Sequence, residues 1–175
     1  MSKVNIRNDD FDGRMRLPVV KDTHEKILKY GLTEIIGVNC QKVKSVVMDS
    51  EVCEYVRGQE GYEFAVHGFE HDDLTKLSYI ELVKDFAASA YFIYKWFGTF
   101  PKYYCGPWNM INDEIRRACE TVGIEPLGLA VDIKAYVTQY PKLVEYGSVY
   151  FHMWDKDVLP MLDNLFKRIK EYDVL

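Results

Sequence analysis

Residues 60–78 read EGYEFAVHGFEHDDLTKLS, and the fold turns on how this stretch is read. The run Tyr62–Val66 is mostly aromatic and apolar, which predicts a strand that delivers His67. Ser78 and Glu81 form an S-x-x-E capping box, so a helix opens there and runs through YIELVKDFAASAYFIYKWFG to Gly98. Within that helix Ile80, Val83, Phe86, Ala87, Ala90, Ile93, Tyr94 and Phe97 recur at helical spacing, which predicts one core-facing stripe. A strand feeding a long helix is half of a parallel crossover. Two of only four histidines, His67 and His71, fall in the connection.

The same alternation continues on both sides. Upstream, KVNIR (3–7) predicts a short strand entering the acidic cluster NDDFD (8–12). DTHEKILKYG (22–31) predicts a helix with Asp22 as N-cap, and TEIIGVNC (33–40) a buried strand. SEVCEYVRG (50–58) predicts a short helix. Downstream, KYYCGPW (102–108) predicts a strand and turn, and NDEIRRACETVG (112–123) a helix capped by Asn112 and closed by Gly123. EPLGLAVDIKAYV (125–137) predicts one strand, SVYFHMW (148–154) another, and VLPMLDNLFKRIKEY (158–172) a terminal helix with Pro160 in its first turn. Strands separated by helices imply an α/β fold with a mainly parallel sheet or barrel. In such folds chemistry gathers at the C-terminal ends of strands. Four clusters are expected there: NDDFD, HGFEH (67–71), YCGPWN (104–109) and FHMWD (151–155).

Composition narrows the function classes. A chain of 175 residues, 48% apolar, predicts one domain over 1–175 with a real core. The net charge of −5 and the lack of Lys/Arg runs argue against nucleic acid or an anionic membrane as partner. No apolar stretch is long enough for a membrane span, and MSKVNIRNDDFD has no basic start followed by an apolar block. The expected location is cytoplasmic. Cys40, Cys53, Cys105 and Cys119 form no CxxC pair, so buried, reduced thiols are expected.

Each cluster has two readings. His67 and His71, in H-x-x-x-H spacing, are either a solvated pair beside Glu70, Asp72 and Asp73 or two imidazole ligands of a metal ion. Asp9, Asp10 and Asp12 either cap a turn or supply a ligand and a base; strand alternation would aim Asp9 and Asp10 in opposite directions. His152, among aromatic residues, is either core or a proton donor. His24, among charged residues, reads as surface.

Taken in order, these clusters resemble the polysaccharide deacetylase family (carbohydrate esterase family four). RNDDF is similar to its T-F-D-D-G motif, and HGFEHDDLTKLS to its H-[ST]-x-x-H motif with the segment that follows. CGPWN resembles R-P-P-Y-G faintly, and YFHMWD is similar to the final L-x-H strand. The resemblance covers about residues 4 to 155. It implies a distorted (β/α) barrel binding a divalent metal ion, most often zinc, through Asp10, His67 and His71. It also implies Asp9 as general base, His152 as general acid, and hydrolysis of an N-acetyl group on an amino sugar or glycan.

The chain departs from that pattern at Cys105, where the family has the arginine that steadies the catalytic aspartate. Arg7, two residues before Asp9 on an extended chain, is the candidate replacement, and Asp132 the candidate acid tuning His152. Gly68 replaces Ser or Thr, Phe11 replaces glycine, and Trp108 replaces the aromatic of the third motif, where it is either a core residue or a platform for a sugar face. Loop lengths favour a small, lipid-linked or nucleotide sugar as much as a polymer. Two other classes stay open: a pseudoenzyme that binds a glycan or partner, and an amide hydrolase acting on a non-sugar substrate. The oligomeric state is not legible.

Overall fold

The computed structural model describes residues 4–12, 15–41, 51–133 and 147–172. Seven strands are described: β1 Asn5–Phe11, β2 Glu34–Val38, β3 Tyr62–Val66, β4 Tyr103–Tyr104, β5 Glu125–Pro126, β6 Val131–Asp132 and β7 Ser148–Phe151. The described α-helices are α1 Leu17–Lys29, α2 Glu51–Val56, α3 Tyr79–Phe97, α4 Asp113–Val122 and α5 Leu162–Tyr172. All strand pairs are parallel, in the order β5-β4-β3-β2-β1-β7-β6.

That order forces the sheet to curl. In a flat sheet the edge strands β5 and β6 would lie about 29 Å apart, six gaps of about 4.8 Å. Five Cα steps, from Pro126 to Val131, reach at most about 18 Å. The sheet therefore bends into a partial barrel, the distorted (β/α) architecture expected.

The two faces of the sheet differ. Ile6, Ile36, Val38, Phe64 and Val66 join Val20, Ile27, Phe86, Ile93 and Phe166 in the main core beneath the helices. Ile35, Ala65, Cys105 and Leu127 form a small separate cluster on the inner face. Gly37 belongs to that inner face. A Cβ there would meet Cys105 Sγ at 2.8 Å and Asp9 Oδ1 at 3.3 Å, so only glycine fits.

Local signals hold where they are strong. The Ser78 N–H donates to the Glu81 carboxylate at 2.8 Å, and Gly98 ends α3 at φ +77°. Asn112 Oδ1 accepts from the Ile115 N–H at 2.9 Å. All four cysteines are buried and free.

Several expectations are corrected. Helix α1 begins at Leu17, with Pro18 in its first turn, so Asp22 lies inside it and pairs with Lys26 at 2.5 Å. His24 is 2% exposed, not surface: it bonds the Tyr55 hydroxyl and the Glu60 carbonyl, both at 2.8 Å, and stacks on Tyr62. Helix α3 buries Leu82, Phe86, Ser89, Ala90, Ile93, Trp96 and Phe97, while Ile80 is 63% exposed and Tyr94 also faces solvent. Apolar residues occupy more than one face of this helix, so periodicity alone could not choose the buried one. The segment 125–137 holds two strands rather than one, and its residues from 134 onward lie outside those described. Pro160 falls in a single 3₁₀ turn, Leu159–Met161, just ahead of α5.

Candidate active site

A bulge in β1 brings two adjacent carboxylates to one place. Asn8 pairs with Ile36 and Phe11 with Val38, so β1 uses three residues where β2 uses two. Asp10 absorbs the extra residue at φ +60°. Asp9 and Asp10 consequently line the same cavity instead of pointing apart, which overturns the simple alternation expected from an extended chain. Phe11 resumes the outer face, edge-on to Phe97 at 6.0 Å.

Asp10, His67 and His71 converge at the C-terminal ends of β1 and β3. Asp10 Oδ1 lies 2.8 Å from His71 Nε2 and 3.5 Å from His67 Nε2, yet this buried oxygen has no properly formed hydrogen bond. Two ligands about 2.1 Å from an ion at a tetrahedral angle stand about 3.4 Å apart, so these separations suit a shared cation. His67 Nδ1 lies 2.6 Å from the Cys105 carbonyl. A carbonyl only accepts, so Nδ1 carries a proton and Nε2 is the ring atom turned toward Asp10. Burial opposes ionisation of Asp10, but the two imidazoles outweigh it and hold its pKa below the usual carboxylate value. Asp85 on α3 accepts from the Phe69 N–H at 3.2 Å, tying the loop that carries His71 to the helix. Gly68 in that loop takes φ +79°, where lack of a Cβ removes the strain.

A second cluster, Asp9, His67 and Cys105, is equally close-knit and fully buried. It suits a metal poorly. Both Asp9 oxygens face Arg7, at 2.6 Å from Nη2 and 3.2 Å from Nε, and His67 Nδ1 is committed to a carbonyl.

Arg7 is 1% exposed, and its guanidinium completes its contacts by donating to Asn109 Oδ1 at 3.0 Å. Burial works against that charge, but Asp9 and Cys105 more than offset it, and the Arg7 pKa is raised.

The remaining wall comes from β7 and the loop after β4. His152 Nε2 lies 3.5 Å from Asp10 Oδ2, and its ring stacks on Trp154 at 4.7 Å. Trp108, 62% exposed, stands edge-on to His71 at 4.8 Å and is not a core residue. Tyr150, Trp154 and Asn109 also line the cavity, which holds about 200 Å³. Sequence reading passed over all three. Tyr150, His152 and Trp154 follow a period of two that could have flagged the first and last; Asn109 carries no such signal. Asp132 does not line the cavity; it is register-paired with Tyr150, whose phenol pKa is raised by burial and then by Asp132.

Among the described residues, four non-glycine residues have positive φ: Asp10, His71, Trp108 and Asn109. All four line this one cavity. Each costs about 1–3 kcal/mol, and strain of this kind persists where it positions functional groups.

A sequence profile described as polysaccharide deacetylase matches residues 41–127. Residues 41–127 thus carry a polysaccharide deacetylase domain. Its fold recurs in solved CE4-family structures. One is a CE4 pseudoenzyme from Bacillus anthracis, with TM-score 0.75 and 13% identity, covering 98% of this chain and 61% of that one. Another is a family 4 carbohydrate esterase from Streptomyces lividans in complex with acetate, with TM-score 0.72, 16% identity and coverage of 98% and 89%. A third is the peptidoglycan deacetylase PdaC from Bacillus subtilis, with TM-score 0.68, 20% identity and coverage of 98% and 85%. The chain thus spans about three-fifths of the first relative's length. No curated protein matches the chain. Among the described residues no helix is long and apolar enough to cross a membrane.

Proposed function

We propose that this protein is a metal-dependent hydrolase that removes the N-acetyl group from an amino sugar or glycan. One observation carries the reading: a buried carboxylate oxygen of Asp10 without a formed hydrogen bond, flanked by two imidazole nitrogens at separations that suit one ion. Asp10, His67 and His71 would hold a divalent cation, zinc being the best match to one carboxylate and two imidazoles. When bound, the ion supplies Lewis acidity, polarising the amide carbonyl and favouring ionisation of water.

The chain's own groups supply the proton transfers. Asp9 accepts the proton of the attacking water; Arg7 fixes its orientation while each oxygen keeps a lone pair free. His152, at the end of the neighbouring strand β7 and stacked on Trp154, donates a proton to the departing amine nitrogen. Trp108 and Trp154, 62% and 61% exposed, frame the mouth and offer flat faces for a sugar ring. A cavity of about 200 Å³ favours a single terminal or small sugar over a clamped polymer.

The test is metal content together with acetate release. Purified protein is expected to carry one divalent ion per chain and to release acetate from N-acetylglucosamine oligomers; His67→Ala is expected to lose both. Release from simple amides but not from sugars would move the substrate outside carbohydrates. Sugar binding by metal-loaded protein without acetate release would make this a binding protein rather than an enzyme.

A further inference from the structure

Trp154 is a shared wall. Its other side borders a second cavity of about 280 Å³, whose floor is Met15, Val19 and Met153 and whose charged lining is Arg16 and Lys156. Arg16 and Lys156 form no ion pair among the described residues. Arg7, Lys26, Lys29, Lys76, Lys102 and Arg117 each have a carboxylate partner; Lys21, Lys84, Lys95 and Arg116 have none among the described residues, but none of these lines either cavity. Asp155 and Asp157, the sequence neighbours of Lys156, do not line the cavity; Asp155 instead accepts from the Asp157 N–H at 3.0 Å. In a chain of net charge −5, two cations with no carboxylate partner among the described residues, over an apolar floor and one tryptophan from the candidate catalytic groups, form a surface complementary to a negative charge.

We propose that this cavity is a subsite for an anionic substituent carried by the substrate: a carboxylate or phosphate one sugar unit, or one ring substituent, away from the N-acetyl group. The inference rests on the deacetylase reading for its placement, since the acetamide must enter the Asp10–His67–His71 side while the anion passes Trp154. The apolar floor receives the carbon skeleton that bears the anion, and Arg16 and Lys156 stand at its rim. Both are exposed, so each contributes modestly, and their combined effect depends on salt.

The experiment is calorimetric binding to zinc-loaded full-length protein, with acetate release measured in parallel. The ligands are a neutral N-acetylglucosamine disaccharide, N-acetylglucosamine linked to glucuronic acid, and N-acetylglucosamine 1-phosphate. At least one anionic ligand is expected to bind about five-fold tighter than the neutral one, with the advantage shrinking between about 0.05 M and 0.5 M salt. Which anion gains tells carboxylate from phosphate. In the Arg16→Gln/Lys156→Gln protein the ratio of anionic to neutral affinity is expected to fall to about one. Equal affinities in the wild type, no binding of either anion, or a ratio unchanged by the double substitution would overturn the subsite. An anion preference without any acetate release would overturn the hydrolase reading and leave the subsite standing. Acetate release at equal kcat/KM from neutral and anionic sugars would do the reverse.

Discussion

Arg7 is the buried ionic partner of Asp9, reaching it from the same strand with a two-point contact. The resemblance to the family sets Cys105 where an arginine is expected, and we propose that Arg7 takes over that arginine's part. Removing that partner leaves a buried carboxylate facing neutral groups. Arg7→Ala is expected to lower kcat about 10- to 100-fold, measured by acetate release, with metal content retained. Cys105→Arg alone would push a second guanidinium into space that Arg7, Asp9 and the close approach to Gly37 already fill. It is expected to cost about 3–5 kcal/mol in urea unfolding. Combining Arg7→Ala with Cys105→Arg should recover part of both losses; failure to recover would mean that the two positions are not exchangeable. The candidacy of Arg7 was legible from its two-residue spacing. The part played by Asn109, which accepts from Arg7 and donates to the Ala130 carbonyl at 3.3 Å, was not, because a turn with two consecutive residues at positive φ has no signature in Trp-Asn.

Among the elements, β1 and β2 show where pattern reading stops. Strand β2 begins with Glu34, which is completely buried on the helix-covered face and whose oxygens have no well-formed hydrogen bond. Burial pushes its pKa up to about 7 from 4.5, while neighbouring Asn8 pulls slightly the other way; Glu34 in turn helps to raise the pKa of Tyr62. For an acid with a raised folded-state pKa, the unfolded chain ionises first. Stability is therefore whole below about pH 4.5, falls as pH rises toward about 7, and stays reduced above that. Glu34→Gln is expected to remove most of this slope, with a gain on the order of 3 kcal/mol at pH 8 relative to pH 4.5 in urea melts. A wild-type stability that is flat over that range would contradict it. The sequence reads 33–40 as a buried strand, but that its glutamate is buried without a well-formed hydrogen bond is set by the surrounding tertiary packing. The bulge in β1 was hidden for a related reason. No glycine marks it, because Asp10 itself takes the left-handed turn.

Across the whole molecule, the candidate ion would tie the end of β1 to the loop after β3, joining residues 57 and more positions apart in the chain. Binding confined to the folded state adds about 2.7 kcal/mol when the ion is present at about 100 times its Kd. For a chain of this size that corresponds to a Tm increase of about 5–10 °C. Chelator-treated protein is expected to melt lower by that amount and to recover on addition of zinc. A His67→Ala/His71→Ala protein is expected to show no response, and an equal response there would place the ion elsewhere. The parallel α/β architecture and the order of the motifs were written in local patterns: apolar runs of strand length, helices with caps at both ends, histidines and aspartates at strand ends. Such patterns depend on neighbours within a few residues, which a linear reading can see. Which side of β1 the two aspartates face, which stripe of α3 is buried, that His24 lies inside, and that Asn109 meets Arg7 were settled only when segments distant in the chain came together. Each depends on a contact across the sheet, and the free energy of that contact is absent until the barrel closes.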